Sequence, residues 1–154
     1  MDVRPAENVP TGKPLADYRF GPRAWEYLDK MRTLCGEKGI QLILIKAPSL
    51  YPYWYPQWEE QVEDYAAEHD LLYLNFLELA DEIGIDYSTD TYDMGLHMNL
   101  SGAEKLSAYL GRVLSEEVGL PDRRGEAHLS AVWDEKLAAY QAEIQAQYEK
   151  YGMK

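Results

Sequence analysis

One histidine, His97, and two aspartates, Asp90 and Asp93, lie within eight residues of one another, and Gly95 lies between Asp93 and His97. A carboxylate that hydrogen-bonds one imidazole nitrogen fixes the tautomer of the ring and leaves the other nitrogen free to accept a proton. Gly95 allows the backbone to fold tightly enough for Asp93 to reach back to His97. His97 is therefore a candidate general base, and the alternative is a structural His–Asp pair that pins the loop.

The remaining metal-ligating residue types are scattered. His69 and His128 fall in other segments, so no second histidine lies at ligand spacing from His97. Cys35 is the single cysteine, which excludes an internal disulfide and a multi-cysteine metal site. We interpret it as a buried structural thiol. No metal and no cofactor are expected.

The segment 47–58 is rich in aromatic residues and is punctuated by proline. It follows a predicted strand, and the carboxyl ends of strands are where open α/β sheets bind ligands. Rings of this kind could stack on a sugar or clamp an acyl chain, or they could simply cover the edge of the sheet. The predicted substrate-binding residues are Tyr53, Trp54, Tyr55 and Trp58.

The elements that would position these residues alternate between helix and strand. Pro22 opens a helix whose apolar stripe leads to Gly36 and Gly39, which are predicted to end it. The run Ile40–Lys46 is nearly all apolar, as in a strand buried on both faces. A second helix, from Trp58 to about His69, precedes a second predicted buried strand at Leu71–Phe76. The unit is therefore β-loop-α-β with parallel strands.

The second half of the chain is predicted to be helical around the histidine segment. A short helical turn stops at Gly84, and a longer helix begins with a Ser-x-x-Glu capping box at Ser101 and Glu104. A last helix starts near Ser130, with a sparse apolar stripe that could pack on the domain or on a partner. We predict an extended arm over 1–21, one α/β domain over 22–120, and a connector with a C-terminal helix over 121–154.

Composition and charge limit the possible partners. The chain has 154 residues and a formal net charge of −12, which argues against nucleic acid or an anionic membrane as a partner. No apolar run approaches the length of a membrane span, and the N-terminus lacks a signal-peptide pattern. The chain as it stands is expected in the cytoplasm, or outside it if it belongs to a longer parent.

The segment from Asp93 to Leu110 resembles the C-terminal signature of SGNH (GDSL-like) hydrolases. It is closest to bacterial members with a His-x-Asn-x-x-Gly-Ala-x-Lys pattern before the last core helix. The strand 42–46 followed by Ala-Pro-Ser, and the tail 121–125 with Trp133, also resemble that group. The similarity covers roughly residues 26–140.

The resemblance implies a three-layer α/β/α fold with a flavodoxin-like parallel sheet, and hydrolysis of ester or acyl-ester bonds. In that family a serine attacks the carbonyl group, and His97 and Asp93 match the base and the orienting acid. The family spacing is Asp-x-x-His, whereas three residues separate Asp93 from His97 here. This departure leaves Asp90 open as the alternative partner.

The family's nucleophile and oxyanion blocks have no counterpart before the first strand. The chain is similar to the C-terminal half of such an enzyme and is expected to be nearly inactive alone, with slow or no ester hydrolysis. Ser49 is the only serine predicted at the carboxyl end of a strand, but it lacks a strand-to-helix turn that would expose a nucleophile. The expected substrate is a small-molecule or carbohydrate ester. A second copy, or an upstream domain, could complete the sheet.

The alternative function is a non-catalytic module that binds a glycan or a protein through the aromatic segment.

Overall fold

The computed structural model describes residues 3–151, so residues 1, 2 and 152–154 of the predicted arm and C-terminal segment lie outside the described residues. Five helices and two strands follow one another within this range. They are α1 (Pro22–Lys38), β1 (Ile43–Lys46), α2 (Pro56–Glu68), β2 (Leu72–Asn75), α3 (Ala80–Ile83), α4 (Leu100–Glu116) and α5 (Ala127–Tyr151). The mixture of helices with a parallel sheet confirms an α/β chain.

Prolines and glycines set most of the helix ends. Pro22 and Pro56 occupy the first turns of α1 and α2, where a missing backbone N–H breaks no hydrogen bond. Gly39 and Gly84 end α1 and α3 in the left-handed conformation that glycine adopts without strain. The sequence predicted that Gly36 would help to end α1, and this is wrong, because Gly36 lies inside the last helical turns.

The sheet has two parallel strands, with Ile43 opposite Leu72 and Lys46 opposite Asn75. The core lies between β2 and α4. Leu74, Phe76 and Val113 are buried there, and half-buried apolar residues from β1, α3 and α4 surround them. This small core fixes β2 against the helix that follows the candidate histidine.

The predicted burial of the first strand and of Cys35 is wrong. Ile45 in β1 is 49% exposed, and Met31 and Leu34 on the apolar stripe of α1 are also exposed. Cys35 is half-buried, not buried. An apolar pattern shows which faces favour burial, but burial needs a covering element, and residues 3–151 supply none over this face. The strand β1 therefore has an open edge and a partly wet face.

The two ends of the chain behave differently. The arm over residues 3–21 has no helix or strand, yet its backbone bonds to distant parts of the chain. The helix α5 begins at Ala127, before the predicted Ser130, and its side chains at Trp133, Leu137 and Tyr140 are exposed. Among the described helices, none is long and apolar enough to cross a membrane.

Candidate active site

The candidate histidine lies in the segment 85–99, called the site loop below, which joins α3 to α4. The backbone of the loop closes on itself, since Asp90 N–H donates to the Asp86 carbonyl group (2.8 Å) and Thr91 pairs with Met98 in an isolated antiparallel bridge. Asp90 and Thr91 are almost fully buried. The loop is therefore a folded unit with a polar interior.

Asp90 is a structural carboxylate. It is 1% exposed, and its Oδ2 accepts from Lys105 Nζ (2.6 Å) and from the backbone N–H of Asp86 (2.8 Å). Burial favours the neutral acid, but these two donors outweigh it, and the pKa of Asp90 lies below its usual value. The residue that the sequence offered as an alternative partner of His97 is thus bonded to α4.

The start of α4 differs from the predicted capping box. Asn99, not Ser101, is the N-cap, and its Oδ1 accepts from Gly102 N–H (3.2 Å). The Asn99 amide group also donates to the Thr89 carbonyl group (2.7 Å), which ties the helix start to the loop. Asparagine caps helices as well as serine does, so the pattern allowed two starts two residues apart.

Gly102 allows α4 to approach the loop. A Cβ atom at this position would lie 2.6 Å from the Asp90 carbonyl oxygen. In the His-x-Asn-x-x-Gly-Ala-x-Lys pattern, three positions therefore have structural roles: Asn99 caps the helix, Gly102 permits close contact, and Lys105 pairs with Asp90. His97 and Ala103 are the two positions of the pattern that these roles do not explain, and His97 is the one with a titratable side chain.

The site loop is also held from two other sides. The arm bonds to it through Arg4, whose N–H donates to the Thr91 carbonyl group (3.0 Å) and whose carbonyl group accepts from Met94 N–H (3.1 Å). After β1, Leu50 N–H donates to the Gly95 carbonyl group (2.8 Å), and the Tyr87 hydroxyl group donates to the Pro48 carbonyl group (2.8 Å). The loop is thus fixed against the carboxyl end of β1.

Within this frame His97 and Asp93 form a close pair. His97 Nδ1 lies 2.6 Å from Asp93 Oδ2, and the His97 backbone N–H donates to Asp93 Oδ1 (2.7 Å). Met94 and Gly95 both have positive φ, at 63° and 96°, and this tight turn brings the carboxylate back to the ring. Burial works against ionisation of Asp93, but the bonds from His97 outweigh it and lower the pKa of the carboxyl group.

A tyrosine ring packs against the imidazole ring. The Tyr92 and His97 ring centroids lie 5.8 Å apart, with 10° between the planes. The His97 side chain is 60% exposed, and among the described residues its ring hydrogen-bonds only Asp93. With the proton on Nδ1, the Nε2 atom is left as a proton acceptor facing solvent. The sequence did not indicate that Tyr92 would contact His97, apart from its position next to Asp93.

The structure does not bring a serine hydroxyl group to His97. Ser49 Oγ donates to the Tyr51 carbonyl group (2.6 Å) and accepts from Tyr51 N–H (3.3 Å), which closes a local turn. Ser88 Oγ bonds the carboxylate of Asp86 (2.6 Å). In the part of the chain that the structure describes, the His97–Asp93 pair therefore has no serine hydroxyl group bonded to it.

The four predicted substrate-binding aromatics pack on one another and on Tyr18 and Phe20 of the arm. The rings of Tyr53 and Tyr55 lie 4.8 Å apart, those of Tyr55 and Trp58 4.7 Å, and those of Trp54 and Trp58 5.6 Å, all edge to face. The arm covers them, since Tyr55 donates its hydroxyl group to the Lys13 carbonyl group (2.7 Å). All four are half-buried. The rings are brought together, but largely as packing.

No three acidic, histidine or cysteine side chains among residues that the structure describes are grouped so as to hold a metal ion. Comparisons with protein-family models, with curated proteins and with solved structures find no match to this chain. The site must therefore be interpreted from its own geometry.

Proposed function

We propose that this chain provides the histidine–aspartate half of a serine-type ester hydrolase of the SGNH (GDSL-like) kind, on a partial three-layer α/β/α fold. The observation that supports the proposal is the Asp93–His97 pair, with Nδ1 held 2.6 Å from the carboxylate and the imidazole exposed beside it. A histidine whose Nδ1–H is bonded to a carboxylate accepts a proton at its other ring nitrogen, Nε2.

The proposed chemistry is acyl transfer. An attacking hydroxyl group gives its proton to His97 Nε2 as its oxygen bonds the ester carbonyl carbon, and Asp93 stabilises the imidazolium ion that forms. The carbon–oxygen bond to the leaving group then breaks, and His97 returns the proton to the leaving alcohol. Water repeats the sequence on the acyl intermediate and releases the acid.

The hydroxyl group would come from a segment or a partner subunit that adds to the sheet. Support comes from β1, whose outer edge is open and whose Ile45 is exposed, because a further strand there would satisfy unpaired backbone groups and cover apolar surface. The substrate proposed is a small-molecule or carbohydrate ester.

Hydrolysis of p-nitrophenyl acetate by the purified chain tests the role of His97. The isolated chain should hydrolyse this activated ester slowly, with water as the nucleophile, and His97→Ala should lower the rate at least about tenfold because the general base is lost. His128→Ala is the matched control, since His128 is an exposed histidine on α5. Equal rates in His97→Ala and the wild type would contradict the proposal.

The alternative, a glycan- or protein-binding module built on the aromatic segment, is not supported by its ring contacts, because the edge-to-face packing already uses most of their surface. Trp54 is the exception, because it lines a cleft.

A further inference from the structure

The last helix, α5, has a long stretch that is not buried against the domain. Every residue from 131 to 143 is exposed, so no face of this stretch is covered. An isolated helix is only marginally stable in water, because most helical stability in proteins comes from the packing of an apolar face. We therefore expect this helix of 25 residues, about 37 Å long, to pack on a surface that the described part of one chain does not supply.

One face of α5 has the apolar spacing of a coiled coil. Large apolar side chains recur at intervals of four, three and four residues, and they are Trp133, Leu137, Tyr140 and Ile144. This alternation keeps the four side chains in a single stripe, called the α5 stripe below. Trp133 is 63% exposed, Leu137 52% and Tyr140 45%. The α5 stripe is thus apolar surface open to water, and its burial against another helix would be favourable.

A groove of about 530 Å³ follows the first half of the α5 stripe. Leu129, Trp133 and Leu137 line it, and the connector before α5 supplies the other wall through Arg123 and Arg124. The two arginines are already paired with neighbouring acidic residues, so the groove favours an apolar occupant. A second helix laid along the stripe would place its own apolar side chains in this groove.

The charges beside the α5 stripe distinguish one helical partner from others. Lys136 and Glu143 are seven residues apart, which is two turns, so both lie along the same edge of the stripe. Neither has an ion-pair partner among the described residues, although the Lys136 ammonium group lies 4.7 Å from the centre of the Trp133 ring. This edge therefore carries one cation and one anion that are open to a partner.

These two charges are complementary to each other when two copies of α5 run antiparallel. In an antiparallel pair, each edge meets the same edge of the other helix in reverse order, so Lys136 faces Glu143 of the partner subunit. In the same register, Leu137 lies opposite Tyr140 of the partner subunit. In a parallel pair the two different edges meet, and Lys136 would face the uncharged Gln141 instead. The charge pattern thus favours a second copy in the antiparallel orientation.

We infer that α5 is a self-association surface, on which a second copy of this chain packs its own α5 in an antiparallel arrangement. Ile144 of the partner subunit would lie over Trp133, in the groove beside the connector. The α5 stripe spans only about two heptads, so we expect weak association, with a dissociation constant on the order of 100 µM. At the low micromolar concentrations used for optical spectroscopy, the chain would then be a monomer. The inference is independent of the ester chemistry at His97.

Sedimentation equilibrium of the whole chain, from about 10 µM to about 1 mM, tests for the pair. The average mass should rise from that of one chain towards that of two, without larger species, because an antiparallel pair with twofold symmetry is closed. Leu137→Asp should keep the chain a monomer, since it places a charge in the centre of the α5 stripe. A wild-type mass that stays at one chain would overturn the inference, as would association that survives Leu137→Asp.

An exchange of charges tests the antiparallel arrangement. Lys136→Glu and Glu143→Lys should each weaken association about threefold to tenfold, because like charges then face each other. One variant makes the chain more acidic and the other makes it less acidic, so weakening in both excludes an effect of net charge. The double variant should restore wild-type association, because the opposite charges face each other again.

Glu135→Lys is the matched control for Glu143→Lys. It makes the same change of charge on the face of α5 that points away from the stripe, and it should not weaken association. A double variant that associates as weakly as the single variants would overturn the inference. Equal weakening in Glu135→Lys and Glu143→Lys would overturn it too, since the position of the charge would then not matter.

Discussion

Two neighbouring loops, both expected to carry function, are held together in opposite ways. The site loop is held by buried polar residues, with Asp90, Thr91 and Asn99 each bonded to backbone or to a charged group. The aromatic segment 47–58 is held by ring contacts within the segment and with the arm. In the site loop, the residues that hold the structure are therefore different from the exposed residue, His97. In the aromatic segment, the rings that hold the structure are the same rings that would have to bind a ligand.

The difference shows how a loop can be both rigid and reactive. Polar bonding buries a few side chains deeply and leaves the next ones exposed, so that His97 stays accessible on a fixed base. Ring packing shares burial among all its members. In the aromatic segment, Trp54 lines a cleft, where it borders carboxylates and not a sugar-sized apolar platform.

The largest expected loss of stability comes from removing the buried ion pair that holds the site loop. Lys105→Met leaves the buried carboxylate of Asp90 without its cation, and we expect it to lower the free energy of unfolding by about 3 kcal/mol. Lys136→Met, on the exposed α5, should change it by less than about 0.5 kcal/mol. Urea unfolding followed by circular dichroism measures both. If Lys105→Met left the free energy of unfolding unchanged, the Lys105–Asp90 pair would not be what holds the loop.

Gly102→Ala should be next in size. The added Cβ atom would meet the Asp90 carbonyl oxygen at 2.6 Å, and forcing the helix away should lower stability by about 2 kcal/mol. Gly111→Ala, in the same helix with open space around it, should instead raise stability by up to about 1 kcal/mol. Thermal unfolding of the two variants should thus shift in opposite directions, and shifts of the same sign would refute the close contact.

Gly12→Ala tests the ring-packed side. A Cβ atom there would lie 2.5 Å from the Tyr53 ring, so the arm should lift from the aromatic segment at a loss of about 1 kcal/mol. Tryptophan fluorescence should move to longer wavelength as Trp58 becomes wetter. Gly125→Ala, which meets nothing within 4 Å, is the control. Unchanged fluorescence in Gly12→Ala would show that the arm does not shield the rings.

The smallest expected loss of stability comes from removing the carboxylate that bonds His97. The pKa of Asp93 is lowered in the folded chain, so its contribution to stability is present above the unfolded pKa of about 3.9 and is lost as pH falls through the folded pKa. Asp93→Asn should therefore be less stable than the wild type at pH 6, by less than about 1 kcal/mol because His97 is exposed. The gap should shrink towards pH 2, and a gap that widens there would contradict the pairing.

The sequence predicted the order of the elements well because local chemistry decides them. The start of α1 and the end of α3 follow from Pro22 and Gly84, which act within a turn of their own position, whereas α2 begins at Pro56, two residues before the predicted Trp58.

The errors arise where distant residues decide. Exposure of Ile45 depends on which element covers β1, and no pattern within the strand contains that information. The choice between Asp90 and Asp93 depended on two consecutive positive φ values and on Lys105, fifteen residues beyond Asp90. The roles of His97 and of the aromatic residues stay predictions.

The bonds between the arm and the site loop have a consequence for how the chain is made. The bond from Thr91 Oγ1 to the Arg4 carbonyl group joins residues 87 apart, so the arm leaves the ribosome well before the loop to which it bonds. At roughly 5–20 residues per second, that interval lasts about 4 to 17 s. For that time the arm is an unpaired backbone, open to proteases and chaperones. The arm therefore cannot reach its folded position until the loop around His97 has been made.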